Sequence, residues 1–176
     1  MKKVVVLCAA CGIGKSTMKD FIEKNNLLSE WICLDTDDVG LNWWDYAGTD
    51  HENKYQSDSF AKAVELSGDK DLFFVTCMNP LNYYRDVEAV SAVTSTYFIG
   101  LVCSDEQVTA RLTARPAERQ CGSDEFIKTQ IDYNNWFKRN AGKFQLFIDN
   151  TNQTYEETAK LICDFVKKIC TFKLNG

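Results

Sequence analysis

Histidine is nearly absent from the sequence, and closely spaced cysteine pairs are equally scarce. There is one histidine, His51, and one C-x-x-C pair, Cys8 and Cys11. A structural zinc site usually takes its four Cys or His ligands from two such pairs, so zinc binding is not expected. His51 lies in a charged turn without a Ser or Cys partner pattern, which argues against nucleophilic catalysis and favours a surface position at a helix start. The cysteines in or beside apolar runs are expected to be reduced core thiols: Cys8, Cys33, Cys77 and Cys103.

Long apolar runs, basic clusters and low-complexity tracts are also missing. No run approaches the about 18 apolar residues of a membrane helix, and the run from Val4 to Ala10 is too short for a signal peptide. The net charge is −5 and the sequence contains no basic cluster, so nucleic acid is not an expected partner. A chain of 176 residues without linkers or repeats favours one cytosolic domain, 1–176. No feature of the sequence predicts an oligomeric state.

The segment from Ala9 to Thr17 fits a phosphate-binding loop. It contains Cys11-Gly12-Ile13-Gly14-Lys15-Ser16-Thr17, which ends the Walker A pattern G-x-x-x-x-G-K-[ST]. In such a loop backbone N–H groups and the helix dipole bind phosphate, the lysine neutralises the β/γ-phosphates and the hydroxyl holds Mg²⁺. Ala9 replaces the first glycine, which is acceptable where φ is negative. The dinucleotide pattern G-x-G-x-x-G does not fit, because it needs glycine where Thr17 stands. We therefore expect residues 11–17 to bind ATP.

The thiol of Cys11 is expected to be unusually acidic. It lies between a helix N-terminus and Lys15, a setting that lowers the pKa of a thiol. We expect Cys11 to be the most readily alkylated thiol and ATP to protect it.

The apolar runs alternate with helical patterns along the whole chain. Such βαβα alternation, with mostly continuous apolar runs, predicts an α/β domain with a parallel sheet covered on both faces. Capping signatures predict helix starts at Ser104, Ser123 and Thr154, and Gly68 is expected to end a helix that begins near Glu52. The predicted strands are Lys3–Cys8, Trp31–Leu34, Leu72–Cys77, Tyr97–Cys103 and Phe144–Ile148.

Three carboxylates, Asp35, Asp37 and Asp38, follow the second predicted strand. Ligands bind at the carboxyl ends of parallel strands, so these side chains should share a crevice with the phosphate loop. Two tasks are open to Asp35 and Asp37: one carboxylate near Mg²⁺, and one that accepts the proton of an attacking hydroxyl. We assign Asp35 to the metal and Asp37 to the base. The alternative is that Asp37 or Asp38 only caps the next helix.

Two arginines, Arg111 and Arg115, lie four residues apart on one helix face after the fourth predicted strand. Guanidinium groups are good donors to phosphate oxygens and stabilise the charge of a transferring phosphoryl group. The following segment, about 113–124 and including Arg119, is expected to form a short lid that excludes water. The alternative is that these arginines cap helix carbonyls or pair with acids such as Glu118.

Together with Phe147 to Thr151 before the last helix, these motifs resemble the small-molecule kinases of the P-loop NTPase superfamily, which include adenylate, shikimate, gluconate and 5′-hydroxyl polynucleotide kinases. The resemblance implies a three-layer, doubly wound, five-stranded parallel sheet of order 2-3-1-4-5, with ATP and Mg²⁺ at the loop. It also implies that Arg111 stacks on adenine, that Arg115 reaches the phosphates, and that the loop after Asp149 flanks the base. Shikimate kinases have a glycine triplet where this chain has Met78-Asn79-Pro80, so the acceptor is not inherited from that branch.

The segment after Asp37 is where we expect the acceptor to bind. Trp43 and Trp44 could stack on a base or sugar face, and Arg85 could pair with an acceptor anion, although core packing and simple exposure are the alternatives. The resulting prediction is an ATP-dependent kinase that phosphorylates a hydroxyl or phosphate of a small molecule, such as a nucleoside or nucleotide. Two other hypotheses stay open: a 5′-hydroxyl polynucleotide kinase-like enzyme, and a non-catalytic nucleotide-binding switch.

Overall fold

The computed structural model describes residues 2–82, 94–119 and 121–171. Five strands form one sheet in the order β2-β3-β1-β4-β5, and every neighbouring pair is parallel. The predicted parallel sheet and its order 2-3-1-4-5 are therefore confirmed. The strands are β1 (Lys2–Cys8), β2 (Ile32–Asp35), β3 (Leu72–Thr76), β4 (Thr94–Val102) and β5 (Leu146–Asp149).

The helices of the described ranges are α1 (Lys15–Lys24), α2 (Tyr55–Leu66), α3 (Asp105–Thr113), α4 (Asp124–Arg139) and α5 (Tyr155–Thr171). The predicted caps are present: Ser104 and Ser123 each accept a hydrogen bond from a first-turn backbone N–H. Thr154 and Glu157 exchange side chain to backbone hydrogen bonds in both directions, a complete capping box. None of these helices is long and apolar enough to cross a membrane.

Both faces of the sheet are buried, which explains the continuous apolar run in β1. Side chains alternate between the faces of a strand, so Val5 and Leu7 pack under α1, α3 and α5. Val4 and Val6 point to the opposite face, under α2 and the second half of α4. The result is three layers, with β1 in the centre of the sheet.

Each predicted strand differs from the observed one at one end or both, and the largest differences are at the starts of β4 and α2. β4 begins at Thr94, earlier than predicted, because its polar start pairs in register with the equally polar start of β1, Lys2 and Lys3. The helix predicted from Glu52 begins as a separate 3₁₀ turn, and the α-helix starts at Tyr55. Gly68 follows α2 with φ 54°, the left-handed conformation that a helix-ending glycine supplies.

Candidate functional site

The loop between β1 and α1 depends on two glycines. Gly12 has φ 84° and Gly14 has φ 100°, values in the left-handed region that favours glycine. A Cβ atom on Gly12 would lie 2.9 Å from Cγ of Leu112 in α3, so the loop also packs closely against that helix. Among the described residues, Asn26 is the one non-glycine with positive φ, so Ala9 has a negative φ as its place in the motif requires.

The N-terminus of α1 offers backbone donors to the crevice. The helix starts after Gly14, and no side chain caps it. The first N–H groups of a helix have no intrahelical acceptor, and the helix dipole adds partial positive charge there. This end of α1 can therefore bind an anion such as phosphate.

Lys15 holds a buried positive charge inside the loop. Its side chain is 8% exposed, and Nζ lies 3.4 Å from the carbonyl oxygen of Ala10. Burial alone would lower the pKa of Lys15, but Cys77, Cys11 and Asp35 outweigh that effect and raise the pKa above its ordinary value. The ammonium group is therefore kept protonated where a phosphate would bind.

A second thiol lies beside Cys11. The Sγ atoms of Cys11 and Cys77 are 3.7 Å apart, and both residues are half-buried. A hydrogen bond from Cys77, together with the positive charges of Lys15 and Arg115, lowers the pKa of Cys11 to about 6 although burial opposes the shift. The same hydrogen bond and burial raise the pKa of Cys77. Cys11 is thus the thiolate of the pair.

The three carboxylates at the end of β2 and just after it have different surroundings. Asp35 is 7% exposed and accepts a hydrogen bond of 2.5 Å from the hydroxyl of Ser16. Asp38 pairs with Lys19 at 2.6 Å and accepts a hydrogen bond from the backbone N–H of Asp35, which completes a capping box. Asp37 is exposed. The structure therefore brings Ser16 and Asp35 together. Asp35 is also the N-cap of the following 3₁₀ helix, and Asp38 is the second member of its capping box.

The prediction that Arg111 and Arg115 share one helix face was wrong, because α3 ends at Thr113 and Arg115 follows the helix. The two side chains approach the loop in different ways. Arg111 donates to the carbonyl oxygen of Ile13 at 2.6 Å and to Oε1 of Gln107 at 3.0 Å, so its guanidinium braces the loop backbone. Its stacking on adenine stays a prediction. Arg115 lies close enough to Cys11 to lower the pKa of that thiol, which places its charge near the phosphate loop.

Helix α4 supplies contacts that the sequence analysis missed. Oε1 of Gln130 accepts a hydrogen bond of 2.9 Å from the backbone N–H of Cys11. The hydroxyl of Tyr133 donates to the carbonyl oxygen of Cys77 at 2.6 Å and accepts from Asn79 at 3.1 Å. Gln130 and Tyr133 interrupt the apolar pattern of α4. That interruption was the one feature of the sequence that could have indicated these contacts. They hold the loop and the end of β3 at fixed positions.

Three aromatic rings cluster in the segment that follows β2 and at the start of α2. Tyr55 lies edge-on to both Trp43 and Tyr46, each at a centroid distance of 5.2 Å. Burial and then the charge of Asp37 raise the pKa of Tyr55. Trp44 is 66% exposed and Trp43 39%. A cavity of about 500 Å³ opens beside Tyr46, and its other lining residues are Gly40, Leu41, Asn42, Asp45, His51, Lys54 and Asp58.

Arg85, predicted to contact the acceptor, lies outside the described residues. The segment predicted to form a lid contains, in its described part, the end of α3, a 3₁₀ turn over Ala117–Arg119 and the start of α4. Among the described residues, no group of three or more His, Cys, Asp or Glu side chains could hold a metal ion. A magnesium site at Ser16 and Asp35 would take its other ligands from phosphate and water.

No protein-family model matches the chain, and a comparison with curated proteins finds no match either. Solved structures do match. The shikimate kinase from Acinetobacter baumannii in complex with shikimate has a TM-score of 0.64 at 16% identity, over 99% of this chain and 96% of that one. A gluconokinase from Sinorhizobium meliloti 1021 has a TM-score of 0.64 at 14% identity, over 98% of both chains. A tunicamycin resistance protein from Deinococcus radiodurans has a TM-score of 0.63 at 14% identity, over 94% of this chain and 96% of that one.

The chain has the fold of these small-molecule kinases. Its five parallel strands, their order and the helices around them match the kinase structures over nearly their whole length. The resemblance inferred from the loop, the strand-end acids and the arginines is therefore confirmed for the fold.

Proposed function

We propose that this protein is an ATP-dependent phosphotransferase that moves the γ-phosphate to a hydroxyl of a small molecule. The observation that carries the proposal is the buried Lys15 at the uncapped start of α1, beside Ser16 hydrogen-bonded to Asp35. A cation, free backbone donors and a hydroxyl–carboxylate pair are the groups that phosphoryl transfer needs around a nucleoside triphosphate. The match of the fold to several kinases adds support.

The described side chains divide the work of transfer among them. Lys15 stabilises the charge of the migrating phosphoryl group, and Arg115 adds a second positive charge from the lid side. Ser16 and Asp35 supply hard oxygen ligands, which fit Mg²⁺. Bound Mg²⁺ would neutralise charge on the β- and γ-phosphates. Asp37, exposed at the end of β2, accepts the proton of the attacking hydroxyl.

The acceptor is proposed to bind between Asp37 and the aromatic rings of Trp43 and Tyr55. Rings of this kind stack on the faces of sugars and bases, and Trp43 and Trp44 are exposed enough to do so. A nucleoside or another compound with a ring and a free hydroxyl fits this arrangement best. The names of the matched kinases give shikimate and gluconate, two hydroxy acids, as their substrates. We do not propose either compound as the acceptor of this protein.

An acceptor screen tests the proposal. ADP release is measured with ATP and Mg²⁺ in the presence of nucleosides, nucleotides, sugars, sugar acids and short oligonucleotides. We expect acceptor-dependent ADP release that falls by several orders of magnitude in Lys15→Ala. Lys24→Ala, an exposed lysine in the last turn of the same helix, is the matched control and should keep full activity. Circular dichroism and thermal melting verify that both variants are folded.

Three results would count against the proposal. Turnover in Lys15→Ala close to that of Lys24→Ala would refute the role of the loop in transfer. Slow ATP consumption that no acceptor changes would favour the non-catalytic nucleotide-binding protein instead. Preferential phosphorylation of oligonucleotide 5′-hydroxyls would favour the polynucleotide kinase-like enzyme.

A further inference from the structure

Two thiols from different parts of the chain meet at the phosphate loop. Cys11 belongs to the loop itself, and Cys77 is the first residue after β3. β1 and β3 are parallel neighbours, and the backbone N–H of Ala9 donates to the carbonyl oxygen of Thr76 at 3.2 Å, so the two segments leave the sheet side by side. Their Sγ atoms are 3.7 Å apart, and both thiols are free.

We propose that Cys11 and Cys77 form an oxidation site for hydroperoxides, which closes to a disulfide in the nucleotide-free protein and is protected by a bound nucleoside triphosphate. A disulfide has an S–S length of about 2.05 Å. The two sulfurs therefore have to approach by about 1.7 Å, which requires rotation of both side chains about their Cα–Cβ bonds. The nucleotide dependence rests on the proposed function, whereas the reactivity of the thiol pair does not.

The reaction takes place in two steps that balance. The Cys11 thiolate attacks one oxygen of the hydroperoxide, the O–O bond breaks, and the leaving oxygen takes up a proton as water or an alcohol, which leaves a sulfenic acid on Cys11. The Cys77 thiol then loses its proton and attacks the Cys11 sulfur, and the sulfenic hydroxyl leaves with that proton as water. The sulfur pair loses two electrons, and the peroxide gains them.

The environment assigns each thiol its part. Lys15 and Arg115 stabilise the thiolate of Cys11, so Cys11 is the attacking sulfur. Cys77 keeps its proton until the sulfenic acid forms, because burial and the neighbouring thiolate disfavour its charged form. Cys33 provides an internal comparison: burial and the charge of Glu23 raise its pKa to about 12, which makes it a poor nucleophile.

A bound phosphate acts against the thiolate. The β- and γ-phosphates would bring negative charge to the same Lys15 that stabilises Cys11, and like charges disfavour ionisation. The phosphates would also hinder access of peroxide to the loop. Oxidation should therefore slow when the site holds nucleotide.

Peptide mapping tests the proposal directly. The reduced protein is treated at pH 7 with a small excess of hydrogen peroxide, the remaining thiols are blocked with N-ethylmaleimide, and the peptides are identified by mass spectrometry. We expect a peptide that links Cys11 to Cys77, with six of the eight cysteines blocked. In Cys77→Ala the linked peptide should be absent, and dimedone should trap a sulfenic acid on Cys11.

Cys121→Ala is the matched control, because Cys121 also lies near Cys11 and Arg115. This variant should still form the link between Cys11 and Cys77. A dominant link between Cys11 and Cys121, or oxidation of Cys11 no faster than that of Cys33, would overturn the proposal. The wild-type map needs no variant, so misfolding of a variant cannot hide the answer.

A second arm separates this inference from the proposed function. Peroxide treatment is repeated with saturating ATP and Mg²⁺, and binding of ATP is measured independently as an upward thermal shift. We expect the disulfide to form several-fold more slowly with ATP. A disulfide that forms in a protein without any thermal shift would refute the proposed function and leave the thiol site in place. A clear thermal shift with ATP, combined with no disulfide in the nucleotide-free sample, would refute the thiol site alone.

Discussion

Replacement of Gly12 by alanine tests how tightly the phosphate loop is held by α3. Two costs add at this position. A left-handed φ costs an L-residue about 1–2 kcal/mol, and Gly12 has φ 84°. The new methyl group would also lie 2.9 Å from Cγ of the buried Leu112. Overpacking of this kind costs about 1–3 kcal/mol.

Gly48→Ala separates the two costs. Gly48 has φ 73°, and a Cβ atom there would meet no heavy atom within 4 Å. The backbone cost and the loss of unfolded-state entropy are therefore nearly the same in both variants. The free energy of unfolding should fall by about 1–3 kcal/mol more in Gly12→Ala than in Gly48→Ala, which is the packing term alone.

Urea denaturation of the two variants and the wild type measures this difference. A double-mutant cycle with Leu112→Ala completes the assay, because removing the isobutyl group relieves the contact with the new methyl group. The cost of the double variant should be smaller than the sum of the single costs by about 1–3 kcal/mol. Equal destabilisation by Gly12→Ala and Gly48→Ala, or strict additivity with Leu112→Ala, would show that the loop does not pack on α3 as described.

Three further predictions concern the acids and the thiols. Burial alone would raise the pKa of Asp38, but the Lys19 hydrogen bond lowers it. Asp38→Asn should therefore lower the free energy of unfolding at pH 7, and the difference from the wild type should shrink as the pH falls below about 4. Denaturation midpoints of both proteins at the two pH values measure this. Asp37→Asn should abolish acceptor-dependent turnover in steady-state assays without changing the melting temperature, because its exposed carboxylate is proposed to act only on the acceptor. Cys77→Ala should move the midpoint of Cys11 alkylation against pH upward from about 6, because the Cys77 hydrogen bond is the main cause of that low pKa; an unchanged midpoint would contradict the pairing.

Local chemistry in the sequence predicted much of the fold. The motif predicted a phosphate-binding loop that contains Gly12 and Gly14. In the structure both glycines have a positive φ, which only glycine adopts without strain. Ser104 and Ser123 were predicted from short-range capping patterns, and both accept the expected hydrogen bonds. In each case the determinant lies within a few residues of the feature it controls.

Contacts across the fold were beyond such patterns. Gln130 is 119 positions from the loop N–H that it accepts from, and Cys77 is 66 positions from Cys11. Neither contact can be recognised from periodicity in the sequence, because each depends on which strands become neighbours and where each strand ends. The predicted strand from Leu72 to Cys77 also ends at Thr76 in the structure, which frees Cys77 to turn toward the loop.

The surroundings of Asp35, Asp37 and Asp38 bear on a question that the sequence left open: which carboxylate binds the metal, which acts as base and which caps the next helix. Asp38 is occupied by Lys19 and by the backbone of Asp35, so its task is to hold the turn. Asp35 is buried against Ser16, where a carboxylate can share a cation with a hydroxyl but cannot reach an acceptor in open solvent. Asp37 is exposed, and its charge contributes to the raised pKa of Tyr55, whose ring contacts Trp43 and Tyr46. A general base has to be within hydrogen-bond reach of the hydroxyl that it activates. We propose Asp37 for this role because it is exposed and has neither the Ser16 contact of Asp35 nor the Lys19 ion pair of Asp38.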